Sequence, residues 1–387
     1  MVVTQRREAA QHWLPTGRPL AELAAAVASP VVDLAAPWRL GAVEIPKPWG
    51  RELWYTGIER RGESTVTDGA RAAPLSHLLA LGRAQLLGGE ADPVLLKVLD
   101  PHPQPVWGDL YFELHREKEE VYFVVGVDRT AWPEGIGAIR CGFDPRLRRR
   151  WADDESFRRA YLEAVLAYEV ARREIDQRLD ERRRCAGIDP AAPVSPALQR
   201  QWLEALPAPL RRREARLRRR MEAFTRLWPL DVGSVVRIAR RVPHALQHGV
   251  RVVEFQTPVY ERLILSFSQK VLTQSHWDTA EAVAIMELDA DPLPPLELLE
   301  DEGGVRREQV AEFRDFAAER WTLEARAAHR LEGDGYRLVL AAVGAVEVGG
   351  LRLEPEEAAL VPCPALPCRV ENLGEEKAVC LVASPRF

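Results

Sequence analysis

The chain has 387 residues, 47% of them hydrophobic and 29% charged, with a formal net charge of -5. That length buries a large core in two or three domains, and the acidic balance argues against general nucleic-acid binding. Five scattered cysteines (Cys141, Cys185, Cys363, Cys368 and Cys380) form no CxxC pair, which argues against a thiolate metal site and a disulfide framework.

No run of about 18 apolar residues offers a membrane span, and Met1 to Leu20 carries charges rather than a continuous apolar stretch. The expectation is a cytoplasmic protein with no membrane and no nucleic-acid partner. The arginine runs at 148–150, 182–184, 211–213 and 218–220 lie among acidic residues on predicted helices, so they read as solvated helical faces. Nothing in the sequence sets an oligomeric state.

Residues 1–43 form an Ala/Leu-rich N-terminal extension, with a short helix over Leu20 to Ala28 that ends before Ser29-Pro30. Ile45 to Trp54 reads as a rigid turn followed by a strand, and Leu75 to Leu81 as a helix between Pro74 and Gly82. Pro93 to Leu99 is an apolar run of buried-strand type, and Val121 to Val125 and Ile136 to Phe143 are further strands.

The character then changes. Residues 147–228 are rich in Arg, Glu, Ala and Leu, and Phe157, Tyr161, Val165 and Tyr168 recur at helical spacing. Gly187, Pro190, Pro193 and Pro196 break this block in two. Strands resume at Ser234 to Ile238, Arg251 to Gln256 and Arg262 to Phe267. The acidic, proline-bearing stretch 285–312 reads as a connector, and 313–387 as a second small β unit. The short strands with frequent turns predict a mainly β protein, a sandwich or barrel with jelly rolls among the options, carrying a large helical insertion.

Two distant segments carry the chemistry. The first, Gly108 to Gly126, contains Glu113, His115 and Glu120; the second, Gly233 to His248, contains His244. Residues i and i+2 of a strand share a face, so Glu113 and His115 project together, and a hairpin brings Glu120 beside them. His244 must arrive from another strand. This carboxylate and imidazole set suits a divalent metal: Zn, Fe, Mn or Ni. Taken singly, each residue reads as a surface strand or loop residue; the paired segments favour a metal site. His248 is a reserve ligand and His102 a non-ligand. Trp49, Trp54 and Trp107 could stack on a sugar, although buried packing is the commoner use of tryptophan.

These segments resemble the two signature motifs of the cupin superfamily, with Glu113-x-His115, then Glu120 and Gly126, then Gly233 and His244. Ala239 and Arg241 replace the proline and central glycine of the second motif. More specifically, the chain resembles type I mannose-6-phosphate isomerases. The features that carry this are Pro93 to Asp100, Glu113-Leu114-His115, Lys118-Glu119-Glu120, and Pro243 to Leu246 followed by Glu254-Phe255-Gln256 and Arg262.

The resemblance implies two cupin jelly-roll barrels. The metal-binding one spans 44–146 and 229–284, interrupted by the helical insertion. It also implies a divalent metal, zinc foremost, on Glu113, His115, Glu120 and His244. The implied activity is the isomerisation of mannose 6-phosphate to fructose 6-phosphate through an enediolate. Lys118, its pKa depressed beside the metal, would move the proton, and Arg262 would meet enediolate or phosphate charge. Glu113 stands where the family has Gln, and the loop from His115 to Glu120 is shorter than in familiar members. Those departures leave two alternatives: isomerisation of an unphosphorylated sugar, or a non-catalytic sugar-binding cupin.

Overall fold

The computed structural model describes residues 19–189, 192 and 194–386. The charged stretch Met1 to Leu20 and the proline break at 190–193 therefore fall largely outside the described residues. No helix among the described residues is long and apolar enough to cross a membrane.

The architecture is mainly β, in stacked layers. A five-stranded sheet runs in the order Thr225–Leu230, Gly137–Phe143, His244–Leu246, Phe112–Leu114, Leu263–Ser266. A six-stranded sheet runs Val235–Ile238, Glu120–Val127, Val250–Gln256, Leu95–Pro101, Gly50–Trp54, Val43–Lys47. Their facing sides share one core, which includes Leu99, Tyr122, Val124, Ile139, Leu246, Val252 and Ile264.

Strand alternation explains the next layer. In Glu120–Val127, Tyr122 and Val124 join that core, while Val121 and Phe123 point the other way. There they meet Leu40, Leu338, Leu360 and Leu381 of a nine-stranded sheet. Being buried on both faces, these strands are continuous apolar runs, as the sequence suggested for Pro93 to Leu99. The nine-stranded sheet in turn packs its far side, Trp321, Val339 and Val382, on a four-stranded sheet carrying Val346, Val348 and Val370. The strand Trp38–Gly41 is built into this C-terminal layer, because it pairs antiparallel with Ala358–Val361.

The helical block covers the outer side of the five-stranded sheet. Its main helix, Asp154–Cys185, starts at a capping box made by Asp153 and Ser156. Phe157, Tyr161, Ala164, Val165 and Tyr168 are buried from it against Phe112, Leu114, Phe143 and Leu265. Each such large side chain contributes roughly 1.5–3 kcal/mol by leaving water, so the insertion holds that sheet in place. A short helix absent from the sequence reading, Thr279–Ile285, packs in the same cluster through Ala282 and Val283.

The stretch 285–312 departs from the connector expected there. Glu297–Glu302 and Val305–Glu312 are paired edge strands of the nine-stranded sheet. Alternation was hidden because the stretch is so charged. Arg306 bridges Asp301 at 2.9 Å and Arg307 bridges Glu300 at 3.0 Å, so opposite charges rather than apolar faces meet across the pair.

Candidate metal centre and its cavity

The register of the two facing sheets assembles the site at one end of their shared core. His244 stands opposite Glu113 in the five-stranded sheet. Glu120 stands opposite Gln256 in the six-stranded sheet, where Glu254 in turn lies between Lys97 and Tyr122. All of these side chains take the inward positions of their strands.

His115, Glu120 and His244 converge, with one ligand atom from each lying within 4.8 Å of the others. All three are buried, at 1%, 2% and 3% exposure. His244 Nε2 is 3.1 Å from Glu120 Oε2, and His115 Nε2 is 3.4 Å from Glu120 Oε1. Glu113 is adjacent, its Oε1 being 3.9 Å from His115 Nε2. Its other oxygen faces Arg262 Nη1 at 3.5 Å.

The hydrogen bonds behind the rings identify what this cluster fits. The Nδ1–H of His115 donates to the Glu261 carbonyl at 2.9 Å, and that of His244 to the Val242 carbonyl at 3.0 Å. A carbonyl can only accept, so in the neutral rings each Nε2 presents a lone pair. Both lone pairs point at a carboxylate that also can only accept, and the buried Nε2 of His115 has no hydrogen-bond partner. Two imidazole lone pairs and a carboxylate aimed at one another fit a cation, and the backbone carbonyls fix the tautomers a divalent metal requires. Burial, with the Lys118 charge added, holds the His115 pKa well below its ordinary value and so keeps the ring neutral. Tyr122 donates to Glu120 Oε2 at 2.6 Å and orients the carboxylate.

A cavity of about 370 Å³ opens beside this cluster. Glu113, Lys118, Lys97, Gln256 and Arg262 line it, with Trp54, Lys47 and Glu52. Lys118 and Arg262 thus share one cavity. Lys118 Nζ is 2.5 Å from Glu120 Oε1. The depressed Lys118 pKa expected from the sequence rests on a bound metal; the protein's own groups act on this lysine in both directions. Burial alone would lower it, but Glu120, Glu254 and Glu113 outweigh burial and raise it. Burial, with the Glu120 charge added and Lys97 opposing, pushes Glu254 up to about 8. Glu52, although buried, is held down at about 2 by Lys47 and Lys97.

His248 is not part of the cluster: its Nδ1 pairs with Asp109 at 2.7 Å and its ring stacks on Trp132. Trp49 is core, and Trp107 lies beneath Arg200. Trp54 lines the cavity and stacks on Tyr260 with centroids 5.5 Å apart.

Sequence reasoning missed Lys47, Glu52, Lys97 and Glu254. A signal was present: Lys97 interrupts PVLLKVL and Glu254 interrupts VRVVEFQ. A charge inside a run buried on both sides requires a partner. The left-handed turn before His244 was also readable only in part. Arg241, where the cupin motif has glycine, adopts φ 61°, and its N–H donates to the His115 carbonyl at 2.6 Å.

No family model matches the chain, and no curated sequence matches it. Solved structures do. The fold is similar to that of the mannose 6-phosphate isomerase from Bacillus subtilis, with a TM-score of 0.60 and 14% identity over 90% of this chain and 99% of that one. A phosphomannose isomerase from Salmonella typhimurium, solved as a point mutant, gives 0.59 and 14% over 91% of this chain and 100% of that one. The zinc-bound holo form of a mannose 6-phosphate isomerase gives 0.58 and 15% over 91% and 100%. At these identities the likeness establishes the fold, a mainly β, multi-sheet architecture with a helical insertion, as in those isomerases.

Proposed function

We propose that the chain is a metal-dependent aldose–ketose isomerase acting on a sugar phosphate, with the mannose 6-phosphate to fructose 6-phosphate reaction foremost. The observation that carries this is the buried His115, Glu120 and His244 set, its lone pairs converging beside a cavity lined by Lys118, Lys97 and Arg262. The likeness in fold to zinc-bound isomerases supports the same reading.

His115, Glu120 and His244 would hold the ion, zinc foremost, with Glu113 next in line. When bound, a divalent metal supplies a Lewis acid that polarises the sugar carbonyl and its neighbouring hydroxyl. The chain's own residues do the rest. A proton must leave C2 of the open-chain aldose and return at C1. Lys118 reaches the cavity as an ammonium whose strongest support is Glu120. With the Glu120 charge committed to a cation, less holds that ammonium, and Lys118 comes nearer to exchanging its proton with substrate carbon. Arg262, fixed by Thr273 at 2.7 Å and lying over the Tyr111 ring, presents charge to the enediolate or the phosphate.

One observation favours a second reading, isomerisation of an unphosphorylated sugar. Every lysine and arginine lining the cavity has its own carboxylate: Lys47 with Glu52 at 3.1 Å, Arg61 with Glu59 at 2.8 Å, Lys97 with Glu254 at 3.6 Å, Lys118 with Glu120 at 2.5 Å and Arg262 with Glu113 at 3.5 Å. A dianionic phosphate would have to compete for them.

A substrate panel with the metal-loaded protein decides between the readings. Turnover of mannose 6-phosphate well above free mannose is the expected result. Better turnover of free sugars would favour the second reading, and no turnover of any aldose or aldose phosphate would overturn both.

A further inference from the structure

The C-terminal unit has a cavity of its own, of about 380 Å³, between the nine-stranded and four-stranded sheets. That volume lies in the range of small-molecule sites, roughly 300–1,000 Å³. Arg307, Glu319, Trp321 and Ser384 reach it from the nine-stranded sheet, His329 from the four-stranded sheet, and Arg337 from the start of the strand Arg337–Val343. Among the described residues, no metal-ligating cluster forms there.

Most of the charge in this cavity is already matched. Arg307 grips both oxygens of Glu319, at 2.9 and 3.1 Å, and Glu300 at 3.0 Å. Trp321 Nε1 donates to Glu319 at 2.6 Å. Arg330 pairs with Glu332 at 2.7 Å.

Arg337 is the exception. Among the described residues it has no carboxylate within 4.0 Å, and its hydrogen bonds go to the backbone carbonyls of Gly335, Tyr336 and Glu332 at 2.7, 3.0 and 2.5 Å. The turn is wrapped around the guanidinium. A Cβ on Gly333, which has φ 128°, would lie 1.6 Å from Arg337 Nη2. These bonds come from the Nη atoms and leave the Nε–H free, on the edge of the fork that pairs with an oxyanion. A half-buried cation is thus pre-positioned, its direct contacts among the described residues being backbone carbonyls and no carboxylate. Burial lowers its pKa, with the Glu319 charge working against that.

We infer that this cavity is a second ligand site, taking a small metabolite that carries a phosphate or carboxylate group, with the anion on Arg337 and the Ser384 hydroxyl. It is independent of the metal centre and of the reaction proposed there. The source of the anion, phosphate or carboxylate, is separated by using both as probes.

The test titrates inorganic phosphate and, separately, pyruvate into the intact protein and into Ser384→Asp, and soaks crystals with each. Ser384→Asp sets a carboxylate in the cavity in place of the ligand and leaves the turn around Arg337 intact. Arg337→Gln serves as a second variant, with its melting temperature checked. We expect density for at least one probe against Arg337 and a loss of affinity for it of roughly tenfold or more in Ser384→Asp. An empty cavity after both soaks, or equal affinity for both probes in wild type and Ser384→Asp, would overturn the inference.

Discussion

His244 Nε2 lies 3.1 Å from Glu120 Oε2, across 124 residues of chain and between two different sheets. Neither strand alone makes a site. The helical insertion separates the two segments in sequence, yet it also packs against the sheet that carries His244. Stability of that contact and assembly of the site are therefore linked.

Glu113 sets its carboxylate 3.5 Å from Arg262, the guanidinium that would meet a substrate phosphate under the proposed reaction. Glu113→Gln should free the guanidinium and lower KM for a sugar phosphate by roughly threefold to tenfold, with less effect on a free sugar. Steady-state kinetics on both substrates measure this. An unchanged ratio of the two KM values would show that Arg262 does not meet the phosphate.

The buried Glu254 carboxyl gives the metal-free protein a pH signature. Its folded pKa is pushed up to about 8 from an ordinary 4.5. A carboxyl raised in this way holds an extra proton when folded. Its contribution favours folding below the unfolded value and is lost as pH rises through the folded one. Glu254→Gln should therefore gain stability relative to wild type as pH goes from about 5 to about 9. Denaturant melts in a chelator across that range measure it. A flat difference would place Glu254 in an unshifted state.

Arg241 occupies a left-handed turn at φ 61° and meets Glu287 through an exposed ion pair at 2.7 Å. Left-handed backbone costs a non-glycine residue about 1–2 kcal/mol, and an exposed pair returns about 0–1 kcal/mol. Arg241→Gly should be neutral or stabilising by up to about 1 kcal/mol by chemical denaturation, with metal binding kept. A clear loss of stability would mean that the arginine side chain, not the turn, matters there.

Phe157 is wholly buried where the insertion meets the five-stranded sheet, edge-on to Phe143 at 5.4 Å. Phe157→Ala should cost about 3–5 kcal/mol of unfolding free energy. The folded fraction should still bind metal at full stoichiometry, because no ligand lies on the helix. A cost under about 1 kcal/mol would mean that the insertion is not a structural support.

The parts of the site that sequence made legible are those bound by spacing. Glu113, His115 and Glu120 fall within one short segment, and His244 follows Gly233 at motif distance, but Phe112–Leu114 and Glu120–Val127 belong to two facing sheets rather than to the hairpin expected. What stayed hidden depends on register between distant strands. Lys97 and Glu254 are neighbours only because Leu95–Pro101 pairs with Val250–Gln256. His248, the reserve ligand of the sequence reading, is held elsewhere by Asp109 and Trp132. The charged edge strands at 297–312 escaped because ion pairs face one another across them and mask the few buried apolar positions, Val305, Val310 and Ala311.

The central claim is that the lone pairs of His115 and His244 and the Glu120 carboxylate form a metal centre. Metal content by mass spectrometry, after loading with zinc and gel filtration, tests it in wild type, His115→Ala and His244→Ala. One ion per wild-type chain is expected, with loss of that ion in each variant. Full stoichiometry retained in both variants, or no metal retained by the wild type, would contradict it.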